Sequence, residues 1–177
     1  YEQWLQAPRL RSGSMGMARF LAVLSFLRQE GSPYDGVVAA AGRHAAEWYF
    51  AECSSLSRMR WRWMPRRSRL RVALRMTRRL AIRSAPSTRC RTGWRRRRGR
   101  LVVEGSPFCQ VRRRVPAPLC GFYAAALARL CELLEAPGDV ACEACCGMGD
   151  PTCCVVLVPA VVRQVAPQEE HVETRVG

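Results

Sequence analysis

The chain has 177 residues and a mass of 19.9 kDa, enough for one ordinary domain with a core that needs no disulfide staples. Its formal charge is +15, and all 29 basic residues are Arg; 18 of them stand between Arg58 and Arg100, where there is no Asp or Glu, while the remainder holds 11 Arg against 14 acids. With hydrophobic residues at 49%, this excludes global disorder and a uniformly basic protein, so any nucleic-acid argument rests on that one segment.

Residues 1–16 are punctuated by Gly and Ser and read as a loose arm, or a remnant ahead of Met15 or Met17. Residues 17–29 place Phe20, Leu21, Leu24 and Leu27 at helical spacing, and Gly31-Ser32-Pro33 stops that helix. Asp35 is positioned to cap a second helix running to about Cys53, with a stripe of Val38, Ala41, Ala45, Trp48 and Tyr49. Over residues 69–76, Arg69, Arg71 and Arg75 alternate with Leu70, Val72, Leu74 and Met76, which predicts a half-exposed strand. Residues 95–98 are a plain charge run. Leu101-Val102-Val103 starts a short strand that Ser106-Pro107 turns.

The C-terminal third has the clearest pattern. Apolar residues at 119, 122, 123, 126, 127, 130, 133 and 134 predict a one-faced helix, which Pro137-Gly138 ends. Residues 140–145 and 153–158 are apolar runs around Gly147-Met148-Gly149-Asp150-Pro151, the pattern of a β-hairpin with a long loop. Residues 161–177 read as a flexible tail. The organisation expected is a single domain over 17–160, with 58–100 as an atypical Arg-rich stretch.

Tyr1-Glu2-Gln3-Trp4-Leu5 shows no basic region followed by an apolar core, and the apolar run at 20–27 is too short to span a bilayer. The expectation is a cytoplasmic chain with reduced thiols. In that setting six of the ten Cys, crowded between Cys131 and Cys154, point to metal ligation or redox chemistry. Cys120 at the start of the long helix, Glu143 and Cys146 at the end of the first hairpin strand, and Cys154 in the returning strand make a plausible tetrahedral set for zinc. Four protein ligands leave no place for water, the mark of a structural site. Cys142, Cys145 and Cys153 are further candidates, and small buried core residues are the competing reading. Neighbours on a strand face opposite sides, so one of each pair, Cys145/Cys146 and Cys153/Cys154, turns away from any metal.

Gly105-Ser106-Pro107-Phe108, then Cys120-Gly121-Phe122-Tyr123, then Val140, Glu143, Cys146, Gly149-Asp150-Pro151 and Cys154 resemble the 4-vinyl reductase domain family, best over residues 101–159. The resemblance implies an α+β fold of helices packed on an antiparallel sheet, shared with transport-particle subunits of vesicle trafficking. It also implies a small-molecule-binding role and, by analogy with sensor domains of aromatic-responsive activators, zinc on Cys120, Glu143, Cys146 and Cys154. Val155 stands where the family usually has an aromatic, and residues 58–100 do not look like the family.

Other candidates weigh less. Trp61, Trp63 and Trp94 are interleaved with Arg as a base-stacking surface would be, but no nucleic-acid-binding motif accompanies them, so nucleic acid is disfavoured as a partner. A stretch without acids or Lys also resembles a shifted reading frame of a GC-rich gene. His44 and Trp48 share a helix face and, with Phe108, Phe122 and Tyr123, form the candidate pocket; a core or rim role is the blander reading of His44. No serine-nucleophile, phosphate-loop or dinucleotide motif is present, and no catalytic residue is assigned. The expectation is a zinc-stabilised domain for a small hydrophobic or aromatic ligand, signalling through a homodimer or a separate output protein. A tetrapyrrole-precursor reductase or carrier of the chlorophyll pathway and a trafficking-type scaffold are the rival readings.

Overall fold

Among the described residues, helices fill the chain up to Ser84 and strands enter at Arg89. The computed structural model describes residues 17–29, 33–85, 87–111 and 113–160; the arm at 1–16 and the tail at 161–177 lie outside them. The elements are α1 (Met17–Gln29), α2 (Pro33–Ala51), α3 (Ser55–Arg62), α4 (Arg66–Ser84), β1 (Arg89–Arg95), β2 (Arg98–Glu104), α5 (Gly121–Leu133), β3 (Gly138–Ala144) and β4 (Cys153–Pro159). The strands form one antiparallel sheet in the order β1-β2-β4-β3. The fold is α+β, with five helices packed on that sheet, as expected. Among the described residues no helix is long and apolar enough to cross a membrane.

Several predicted elements are present. α1 spans residues 17–29, and α2 starts at Pro33, two residues before Asp35, because proline fits a first helical turn whose N–H groups have no partner. α2 lies against α5 through Val38, Gly42 and Ala46, facing Phe122 and Ala126. A Cβ at Gly42 would collide with the Phe122 carbonyl, so the two backbones approach as closely as they do only because this residue has none. Leu127 and Leu130 on α5 are fully buried, each contributing about 1.5–3 kcal/mol. α5 stops at Leu133, where Glu135 takes φ 51° and Ala136 N–H reaches back to the Cys131 carbonyl at 2.9 Å.

Residues 69–76 are helical, not a strand: they lie inside α4. The buried side chains are Leu70, Ala73, Leu74, Met76, Thr77, Leu80 and Ala81, which recur at three and four residues. The alternation of Arg with aliphatic residues is real, but Ala73, Thr77 and Ala81 complete a helical stripe that packs between α5 and the β1–β2 pair.

The Arg-rich stretch is therefore built into the fold, and several of its guanidinium groups bond to backbone. Arg66 donates to the Pro137 and Ala160 carbonyls at 2.6 and 2.7 Å, Arg69 to Leu134 at 3.0 Å, and Arg78 to Cys90 at 3.0 Å. Arg69 thus satisfies a carbonyl at the negative end of α5. The strand prediction at 101–103 holds within β2. Buried Cys90 in β1 and Gly99, Leu101 and Val103 in β2 alternate with exposed Arg89, Arg91, Arg98 and Arg100. β1 forms an outer edge of the sheet, and its tight turn into β2 holds Arg96 and Arg97 at φ 47° and 65°.

Candidate metal centre

The predicted hairpin forms between β3 and β4, with Val140 opposite Leu157 and a bulge between Cys142 and Ala144. Its loop contains a 3₁₀ turn at Cys146–Met148 and turns back at Gly149, whose φ is 106°. Asp150 organises this loop: its carboxylate accepts from Cys145 N–H at 2.8 Å. A second 3₁₀ turn, Pro107–Cys109, follows β2 and is buried throughout.

These pieces bring four thiols together. Cys109 from the buried turn, Cys120 at the start of α5, Cys145 at the end of β3 and Cys153 at the start of β4 have sulfurs that all lie within 4.8 Å of one another. Cys109 Sγ is 3.0 Å from Cys120, 3.4 Å from Cys145 and 3.3 Å from Cys153, and Cys120 is 3.7 Å from Cys145. Tetrahedral zinc, with Zn–S of about 2.3 Å, sets its sulfurs roughly 3.8 Å apart, close to this arrangement. The donor set therefore fits a thiophilic ion. Backbone amides also face the sulfurs: Leu119 N–H points at Cys145 Sγ at 3.3 Å and Cys146 N–H at Cys153 Sγ at 3.4 Å. Such donors stabilise thiolate charge.

Hydrogen bonds among the sulfurs shift their acidities in opposite directions. The S–H of Cys120, then that of Cys153, hold Cys109 well below the usual thiol range. The same bond to Cys109 pushes Cys120 and Cys153 up, while burial raises Cys145. A cation would reverse this order by drawing off the remaining protons.

Cys120 is the one predicted metal ligand in this cluster. Cys145 and Cys153, each the partner of a predicted ligand in its Cys pair, turn inward, and Cys109 comes from a turn that the predicted set did not include. Register supplies the reason. Cys153 pairs with Val103, and both are fully buried. Cys154 pairs with Val102 on the other face, where Arg100 lies close by. Cys146 is half-buried beside the cluster. Glu143, at the bulge, has its carboxylate held by Arg98 at 3.5 Å and Arg100 at 3.2 Å. The position of Cys109 directly after Ser106-Pro107-Phe108 was its one sequence cue.

The predicted pocket residues fall into two groups. Phe108 stacks on Phe122 with centroids 4.8 Å apart and meets Tyr123 edge-on at 5.5 Å, all three buried. His44 stacks on Trp48 at 6.4 Å on the exposed side of α2, with Trp48 49% exposed.

No family model matches the chain, and no curated protein matches it in sequence. Among solved structures it is similar to the phenol-responsive sensory domain of the transcription activator PoxR, crystallised with phenol. The TM-score is 0.54 at 15% identity, over 82% of this chain and 75% of that one. The likeness is one of fold.

Proposed function

We propose that this chain is a zinc-stabilised sensor domain of the 4-vinyl reductase type, which takes up a small hydrophobic or aromatic molecule and reports it to a second copy or a separate output protein. Fold likeness to a phenol-responsive sensory domain supports the uptake. The observation that carries the reading is where the thiols sit: Cys109 directly follows Phe108, and Cys120 stands two residues before Phe122. An ion on Cys109, Cys120, Cys145 and Cys153 would tie the buried turn, the start of α5 and the hairpin into one unit. With four protein sulfurs it would have no open position, so what zinc supplies is cross-linking rather than catalysis. Those ties fix the aromatic wall of Phe108, Phe122 and Tyr123, and hold its shape when a ligand displaces side chains around it. His44 and Trp48 stand apart, so the wall is proposed without them. Glu143, Cys146 and Cys154 are the competing donors, with Cys120 common to both sets.

Native mass spectrometry of the protein as isolated tests the reading. One zinc per chain is expected, together with an apolar adduct or a dimer. A metal-free chain whose stability is indifferent to chelators would overturn it.

A further inference from the structure

Beneath α3 lies a cleft of 460 Å³, within the range of small-molecule sites. Its floor is apolar: Phe50 from the end of α2, Trp61 from α3, and Leu133 and Leu134 from the end of α5. Phe50 and Trp61 pack against each other at 5.9 Å with a tilt of 41°. α3 is N-capped by Ser54 and none of its residues is fully buried; it touches the core through the partly buried Trp61 and otherwise covers the cleft.

The rim carries charge. Glu135 is matched by Arg62 at 3.3 Å and Arg69 at 3.7 Å. Arg58, also on the rim, reaches Ser55 Oγ at 3.4 Å and makes no ion pair among the described residues. An unmatched guanidinium beside an aromatic floor suits a carboxylate or sulfonate attached to an apolar body. Glu135 is already held by its two arginines, which leaves Arg58 as the cation on the rim without an acid among the described residues.

We infer that this cleft binds a small anionic amphiphile, with its acid on Arg58 and its ring or short chain on Phe50 and Trp61. The site shares no residue with the aromatic wall or the thiol cluster, and so goes beyond the sensor reading and stands or falls separately from it.

Isothermal titration of the full chain with 2-naphthoate is the test, with circular dichroism to establish that each variant is folded. Saturable binding is expected. Arg58→Gln should weaken it at least about tenfold, the scale of one charge-assisted hydrogen bond. Trp61→Ala should weaken it as well, and Arg79→Gln, on the exposed side of α4, should leave it unchanged. The neutral 2-naphthamide should bind weakly and equally to the parent and Arg58→Gln. No binding to the folded parent, or equal affinity for the parent and Arg58→Gln, would overturn the proposal. Neither result would alter zinc content, which reports on the sensor reading alone.

Discussion

Cys109 Sγ lies 3.0 Å from Cys120 Sγ, and both side chains are buried, although they enter from a turn after β2 and from the start of α5. Thiols at this distance, with two more beside them, gain little from one another as neutral groups and much from a shared cation. Cys109→Ser and Cys153→Ser are therefore expected to lose zinc, while Cys146→Ser and Cys154→Ser retain it. Metal analysis of the four purified variants checks this; the reverse pattern would assign the ion to the Glu143 set.

Loading has a proton count. Thiols ordinarily keep their protons near neutral pH, and zinc binds them as thiolates. Adding Zn²⁺ to the metal-free chain near neutral pH should release protons, up to about four per ion for four thiol ligands. A weakly buffered titration with an indicator dye measures it. Release near zero would mean that the ion binds elsewhere.

How much of this was legible in the sequence differs by element. Residues 119–134 announced their helix because the large apolar side chains of Phe122, Tyr123, Leu127 and Leu130 supply most of its buried face. α4 did not, because three of its seven buried residues are Ala73, Thr77 and Ala81, whose small side chains register weakly against so many Arg. At the site, the paired Cys were visible, but which of each pair turns inward depends on register with β2, a non-local property. Cys109 arrives through a turn, with no periodicity to mark it.

Alkaline stability follows from other thiols. Burial pushes Cys90 up to about 11 and Cys131 up to about 12, from 9.0 when exposed. The folded state then holds protons that the unfolded chain has lost. This stabilisation is complete below pH 9.0 and declines as pH rises toward the folded-state values, by up to about 1.4 kcal/mol per pH unit for Cys131. Urea unfolding at pH 8 to 11 should show the decline, and Cys131→Ala should make it shallower.

The α2–α5 contact has no slack. Gly42→Ala forces a methyl against the Phe122 carbonyl and should cost about 1–3 kcal/mol. Thermal unfolding would read this as a loss of several degrees; an unchanged midpoint would mean that the helices separate freely.

The arginines are not equivalent. Arg69 is mostly buried, bonds the Leu134 carbonyl and pairs with Glu135, so Arg69→Ala should cost about 2 kcal/mol. Arg79 is exposed, and Arg79→Gln should stay within about 0.5 kcal/mol. Denaturant midpoints of the two variants give the comparison.

The outer edge of the sheet gives the remaining charge a use that requires no ligand. Among the described residues β1 is an edge strand, fringed by Arg89, Arg95 and Arg91, the last paired with Glu104. Two such rims would repel one another, so the charge that sets this segment apart also disfavours edge-to-edge pairing of two copies.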